Sequence, residues 1–367
     1  MKIRSCNLEN FRNVESAQLR FDADRIFFVG LNGQGKSNLL EALGLLHAVR
    51  SFRTSDIRAL IRMDHPEARL YYHLETAAPD QETVLFRIRR AGGREVELNE
   101  EKCASLSEFL SRFPSVVLAM DDVQIIRGSP SIRRRMMDLH FATSRRHYYE
   151  CLREFTRGLA SRNRLLKAHA SVEQIRAHDQ PLAKVAVDLS DLRKKGTEDL
   201  SPIFNRIFQQ ISSGKDEPGI RLKDSLKTSS AEALRDAWNR GLDRDRMLGA
   251  TQVGPHRDDW VFSTSGATAK DFASDGQQRN LAIALKLSLF EDLRSQLSDI
   301  PVLLADDVLG ELDPRRREAF WKNIPDGCQI FSTGTEFDPA KHPGDWQVFQ
   351  VEAGKFTEQS SQKSFHP

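Results

Sequence analysis

Gly30-Leu31-Asn32-Gly33-Gln34-Gly35-Lys36-Ser37 satisfies every fixed position of the pattern G-x-x-x-x-G-K-[ST]. The context agrees. Ile26-Phe27-Phe28-Val29 before it is continuously apolar, as a strand buried on both faces is. Asn38 and the run to Leu46 after it have helical composition and length. Strand, glycine-rich turn and helix make a phosphate cradle. Glycines let the backbone wrap around phosphate oxygens, and the N–H groups and helix N-terminus supply partial positive charge. Lys36 is then expected on the β- and γ-phosphates and Ser37 on Mg²⁺.

Such a loop requires an acid at the end of a second buried strand. Val302-Leu303-Leu304-Ala305-Asp306-Asp307 provides one. Asp306 is the expected Mg²⁺ holder, and Asp307 the candidate general base or water-orienting group. A third element, Ser274-Asp275-Gly276-Gln277-Gln278-Arg279, precedes an amphipathic helix containing Leu281, Leu285, Leu287 and Leu289. A Ser and a Gly at a helix start make either a second anion site or an ordinary N-cap. As an anion site it would serve a second copy's nucleotide across a two-fold interface.

Working outward, Lys2–Leu8, Ala17–Phe21 and Arg25–Val29 read as strands, as do segments within 66–100 around an Ala91-Gly92-Gly93 turn. Ser115–Ala119, Trp260–Phe262, Pro301–Ala305 and Gln329–Ser332 read as further strands. Val348–Val351 with Phe356–Thr357 reads as a closing hairpin. From about Asp121 to Leu248 strand signals nearly vanish and Arg-rich helical patterns dominate. The expected organisation is therefore an α/β lobe from 1–120 together with 249–357. A mostly helical lobe is inserted at 121–248, and a polar tail at 358–367 is expected to be disordered.

The 367 residues carry 54 Lys and Arg against 52 Asp and Glu, a net charge of +2. The sum hides a patch. Residues 121–170 hold eleven Lys or Arg and five Asp or Glu, so the rest of the chain is acidic. On a helical wheel, Arg146, Arg153, Arg157 and Arg164 fall within about 40° of one another, with Tyr148, Leu152, Phe155, Leu159 and Leu166 roughly opposite. With Arg133, Arg134 and Arg135 nearby, this stripe is the candidate DNA surface, sequence-independent and salt-sensitive; the alternative is a solvated outer face. No window is apolar enough for a membrane span, and no secretory signal is evident. Four dispersed cysteines form no zinc or disulfide framework and point to a reducing cytosol.

The order of phosphate loop, signature segment and paired acids resembles the ABC-type ATPase heads, including the SMC branch. Gly310-Glu311-Leu312-Asp313 resembles their D-loop. The likeness sharpens at Asn10-Phe11-Arg12-Asn13, Ser51-Phe52-Arg53-Thr54, Gly128-Ser129-Pro130-Ser131-Ile132-Arg133-Arg134-Arg135, Ser161-Arg162-Asn163, Gly254-Pro255-His256-Arg257-Asp258-Asp259 and Phe331-Ser332-Thr333-Gly334-Thr335. Together these resemble the RecF family of recombination mediators over essentially residues 1–357.

The resemblance implies an α/β, ABC/SMC-type P-loop ATPase head of two lobes. Such a head dimerises around two ATP molecules with Mg²⁺, binds duplex DNA and gap junctions, and hydrolyses ATP slowly. It works with RecO and RecR to load recombinase, in the cytoplasm and at the nucleoid. Gly30 to Asn38 map onto the Walker A loop, Asp306 and Asp307 onto the Walker B acid and catalytic carboxylate. Ser274 to Gln277 map onto the signature loop, and Thr333 to Thr335 onto the switch loop.

Asp275 stands where the family more often shows Gln or another uncharged residue; a carboxylate facing a phosphate is repelled, so the side chain is expected either to point away or to weaken dimerisation. Asp307 is shorter than the Glu of transporters, and no Q-loop glutamine is clear, although Gln124 is near. His256 and Arg257 read best as a turn entering the Trp260 strand. Arg12 and Arg53 are open between nucleotide contact and ordinary ion pairing. A transporter subunit shares the three motifs but seldom carries an Arg-rich helical insertion. A long coiled-coil machine is excluded by the lack of heptads. An ATP-sensing scaffold without useful hydrolysis differs only in what Asp307 does.

Overall fold

The computed structural model describes residues 1–77, 81–103, 109–212, 216–226, 228 and 230–359. In chain order the strands are β1 Lys2–Phe11, β2 Val14–Arg20, β3 Arg25–Val29, β4 Glu67–Glu75, β5 Gln81–Arg89, β6 Arg94–Leu98, β7 Glu101–Lys102, β8 Ser115–Ala119, β9 Pro218–Lys223, β10 Asp259–Thr264, β11 Ala267–Thr268, β12 Val302–Asp306, β13 Ile330–Gly334, β14 Gln347–Glu352 and β15 Lys355–Glu358. The helices are α1 Lys36–Ala48, α2 Gln124–Arg127, α3 Pro130–Ser144, α4 Arg146–Lys167, α5 Val172–Ser212, α6 Ala231–Arg240, α7 Leu242–Leu248, α8 Ala269–Phe272, α9 Asp275–Gln296 and α10 Pro314–Lys322.

The chain divides into two compact units, Met1–Asp122 with Leu289–Pro367, and Val123–Ser288. The first boundary falls beside the expected 120. The second falls inside α9 rather than at 249, so 249–288 belongs with the helical insertion. The reason is β10. It pairs antiparallel with β9 from Asp259↔Lys223 to Thr264↔Pro218, with β11 on its other side. The strand β9 itself was not expected in a helix-rich stretch, because it is short and opens on Pro218-Gly219. Glu358 closes β15, and positions 360–367 of the expected tail lie outside the described residues.

The first unit holds two six-stranded sheets. One is antiparallel, in order β2-β1-β4-β5-β6-β7. Its strands β4 and β5 alternate buried residues with half-buried or exposed ones throughout, which is the pattern of a sheet with one face on a core. The other runs β15-β14-β3-β13-β12-β8. Its five strands β14, β3, β13, β12 and β8 are parallel, and β15 closes it as an antiparallel hairpin arm. Buried on both faces, these strands read as the apolar runs Ile26–Val29 and Val302–Ala305. Helix α1 is apolar nearly all round, with Leu39, Leu40, Ala42, Leu43, Leu45 and Leu46 buried in a cluster shared with both sheets. Tyr72 of β4 anchors it by donating its hydroxyl to the Ala42 carbonyl at 2.7 Å.

The second unit is stapled by two buried arginines. Arg162 on α4 is fully buried and donates to Asp179 of α5 (2.7 Å), Asp245 of α7 (2.7 Å) and Thr251 (2.8 Å), with Trp238 of α6 beneath it at 4.9 Å. Arg193 on α5 bonds Asp138 of α3 at 2.8 Å and Asp258 at 3.0 Å, and lies over Trp260 of β10 at 5.3 Å. Each guanidinium has two carboxylate partners and an aromatic face, the condition under which a buried charge is tolerated. Among the described residues, no helix is long and apolar enough to cross a membrane.

Candidate nucleotide site

In the first unit, the phosphate loop leaves the carboxyl end of β3. The next strands in the sheet, β13 and then β12, end beside it with Thr333 and Asp306. Ligands of open parallel sheets bind at these carboxyl ends. Gly35 starts α1 at φ 116°, a backbone closed to most side chains, and a Cβ there would stand 2.8 Å from the Asn13 side chain. The β14–β15 turn backs the loop. The Gly354 N–H donates to the Gln34 carbonyl at 2.8 Å and the Ala353 N–H to its side chain at 2.7 Å.

Lys36 is buried and curls back over the loop, its Nζ donating to the carbonyls of Gly30 (2.6 Å) and Leu31 (3.1 Å). The outer residues Leu31, Asn32 and Gly33 are exposed. Ser37 donates its hydroxyl to Asp306 Oδ1 at 2.7 Å. Thr333 donates to the same oxygen at 2.9 Å and accepts from the Asp307 N–H at 2.8 Å. The two residues whose side chains should hold Mg²⁺ are thus in contact although 269 positions separate them. Their hard oxygens fit that ion, which takes one or two protein ligands beside substrate phosphates. Among the described residues no cluster of three or more His, Cys, Asp or Glu forms a metal cage.

Asp307 adopts a left-handed backbone, φ 55°, which an aspartate tolerates better than most residues. Burial pushes its carboxyl above the ordinary aspartate range; Lys36 opposes the rise, while Asp306 and Glu311 add to it. That is the direction a proton acceptor requires. Of the D-loop stretch, Gly310 and Glu311 are exposed, Leu312 is buried, and Asp313 caps α10 by accepting the Arg316 N–H at 3.0 Å.

Behind the loop Arg12 and Arg53, open in the sequence between nucleotide contact and ion pairing, share a partner that the sequence reading missed, Glu41. Glu41 on α1, fully buried, takes Arg12 Nε at 2.8 Å and Nη2 at 2.7 Å, and Ser51 donates to it as well. Arg53 lies 3.5 Å from the same carboxylate and donates to Asn38 Oδ1 at 2.7 Å. Asn38 in turn donates to Asn13 at 2.8 Å. Arg12 and Arg53 therefore clamp the first turns of α1. The visible signal was a Glu among leucines on a helix with no polar face.

In the second unit, Ser274 and Gln277 form a reciprocal capping box at the start of α9. Ser274 N–H donates to Gln277 Oε1 at 2.8 Å, and Gln277 N–H to Ser274 Oγ at 3.3 Å. The local cap is real whether or not an anion also binds there. Gly276 follows in the first turn of the helix. Asp275 pairs with Arg127 at 2.5 Å. Gln124 begins α2 in this unit. Pro255–Arg257 form a single 3-10 turn entering β10, as expected, with His256 Nε2 2.8 Å from the Thr251 carbonyl. Burial lowers His256 to a pKa of about 4.

The arginine stripe lies on α4. Arg146, Arg153, Arg157 and Arg164 are exposed, whereas Tyr148, Phe155 and Leu166 are buried. Arg146 has Glu150 at 3.1 Å, and Arg153 lies 5.9 Å from the Tyr149 ring. The triple arginine needs correction. Arg133 is buried and forked onto Asp259 at 2.7 and 2.9 Å, with further bonds to the carbonyls of Ile125 and Gly128. Arg134 donates to the Asp258 carbonyl at 2.7 Å. Only Arg135 of the three is exposed. A run of arginines in a helix points round its circumference, so one falls on the inner face.

Residues 2–333 match the family model described as the RecF/RecN/SMC N terminal domain. A protein of Leptospira biflexa named "DNA replication and repair protein RecF" is 32% identical over 371 residues, covering 98% of this chain and all of that one. A protein of the same name from Staphylococcus aureus is 29% identical, covering 93% of this chain and 95% of its own. A solved structure described as "the recombination mediator protein RecF-ATP in RecFOR pathway" superposes with a TM-score of 0.90 at 29% identity, over 98% of this chain and 97% of that one. An Smc head from Pyrococcus furiosus, 16% identical with a TM-score of 0.55, shares the fold. The chain belongs to the RecF/RecN/SMC N-terminal domain family and, within it, to the RecF branch.

Proposed function

We propose that this chain is an ATPase of DNA replication and repair that acts as an ATP-switched DNA clamp. In this reading two copies close around two ATP molecules, bind duplex DNA and gap junctions without reading sequence, and hydrolyse ATP slowly to come apart. The observation that carries it is the convergence of Ser37, Thr333 and Asp306 beside the phosphate loop, at the ends of adjacent parallel strands. Relatives named for DNA replication and repair, and a neighbour solved with ATP, point the same way.

The loop N–H groups and Lys36 bind the phosphates. Ser37 and Asp306 would hold Mg²⁺, which when bound neutralises charge on the phosphate oxygens. Thr333 orients Asp306 through its hydroxyl and sets Asp307 through the backbone N–H. Asp307 takes a proton from the attacking water, or orients it. Ser274 and Gly276, at the start of α9, face the nucleotide of the partner copy. The α4 stripe takes phosphates of DNA, and RecO and RecR are the expected partners in recombinase loading.

The test is binding of a fluorescent gapped duplex in ATP and in ADP. Tight, sequence-independent binding in ATP alone is expected. Equal binding in both nucleotides would overturn the switch.

A further inference from the structure

Asp275 poses an electrostatic problem. Its side chain is 88% exposed in the first turn of α9. A carboxylate there suits the positive end of its own helix but repels an approaching phosphate. The structure supplies a counter-charge. Arg127 on α2 donates Nη2 to Asp275 Oδ1 at 2.5 Å and Nε to Gln278 Oε1. Gln278 is itself buried and locked, its amide donating to the carbonyls of Ala269 at 3.0 Å and Ala273 at 3.1 Å. The guanidinium is thus held from two sides rather than resting loosely on a surface acid, as most exposed pairs do. Its Nη1 has no partner among the described residues.

We infer that Arg127 is a positioning residue of the signature segment. It cancels the Asp275 charge, so that Ser274 and Gly276 can meet a partner copy's triphosphate without net repulsion. The inference rests on the ATP-dimer reading and adds a residue to it. The same guanidinium sets the loop's shape through Gln278, whose bonds tie the end of α8 to the start of α9. Arg127 and Asp275 are 148 positions apart, so only the fold brings them together.

The pair makes a prediction whose sign differs from that of a merely structural ion pair. Dimer dissociation constants are measured by light scattering in ATPγS for the parent protein, Arg127→Ala, Asp275→Asn and the double variant. Each dimer contains the contact twice, so a few-fold effect per site is squared. Arg127→Ala is expected to dimerise about tenfold more weakly. Asp275→Asn, which removes the acid and leaves the guanidinium, is expected to dimerise several-fold more tightly than the parent. The double variant should return to within about threefold of the parent. Arg127→Lys, which keeps the charge but not the fork that also reaches Gln278, should fall between the parent and Arg127→Ala.

An Arg127→Ala protein that dimerises normally would overturn the inference. So would an Asp275→Asn protein no tighter than the parent, since a structural pair loses stability when either partner is removed. A parent protein that stays monomeric in ATPγS would instead overturn the ATP-dimer reading, and this inference with it, before any variant is compared.

Discussion

Replacing Lys36 with Met should separate the protein's stability from nucleotide. Lys36 is 4% exposed, and its ammonium rests on the Gly30 and Leu31 carbonyls with no carboxylate bonded to it among the described residues. Losing those bonds costs about 1.5–3 kcal/mol each. Removing a buried charge returns several kcal/mol of desolvation. The two effects nearly cancel, leaving the nucleotide-free fold within about 2 kcal/mol of the parent. Nucleotide binding has no such compensation. Truncating one partner of a buried charged contact costs about 2–5 kcal/mol, a roughly 30- to 4,000-fold loss of affinity.

ATP at about 100 times its dissociation constant stabilises the parent by about 2.7 kcal/mol. For a unit of roughly 200 residues the unfolding entropy is about 0.42 kcal/mol/K, so its Tm should rise by about 6 °C. Under the same conditions the variant should rise by about 2 °C or less. Differential scanning calorimetry with and without ATP-Mg²⁺ reads both quantities. A Lys36→Met protein that still gained about 6 °C with ATP would refute the placement of the phosphates on this loop.

Asp307→Asn should bind ATP and dimerise but hydrolyse at least about 100-fold more slowly, read by phosphate release. Arg162→Met should destabilise the second unit by about 3–5 kcal/mol in urea, since it leaves Asp179 and Asp245 buried without their cation. Neutralising Arg153 and Arg157 should lower the salt slope of duplex binding by about 1–2 units, whereas Arg133→Gln should lower stability instead, because that side chain is forked onto Asp259.

His256 adds a pH signature. Its folded pKa of about 4 lies below the unfolded value near 6.5, so the unfolded chain binds more protons between them. Its contribution is intact above about pH 6.5 and falls steadily towards pH 4. His256→Gln should flatten that slope in urea titrations.

The strand, glycine turn and helix around Gly30–Ser37, and the buried strand that ends at Asp306, were legible because each is a local signal. A glycine pattern, an apolar run and an acid at its end lie within a few residues of one another. Residue contacts set by distant segments were not. Arg133 and Arg135 read alike in the sequence, yet one is buried on an aspartate 126 positions away and the other is exposed. Arg162 stood out only as part of Ser161-Arg162-Asn163 and Arg193 not at all, and nothing local showed that their carboxylate partners make them the staples of the second unit. The unit boundary moved for the same reason: β10 follows the helical stretch but pairs with β9 inside it. Asp275 read as an unopposed charge, because its partner on α2 lies 148 positions earlier.

The most direct test of the ATP-switched clamp is mass in solution by light scattering, in ATP, in ADP and without nucleotide, each with and without gapped duplex DNA. The account predicts a particle of 41.7 kDa in ADP or no nucleotide, and twice that mass in ATP, with DNA holding the larger form together. A single mass of 41.7 kDa in every condition, or a dimer indifferent to nucleotide, would contradict it.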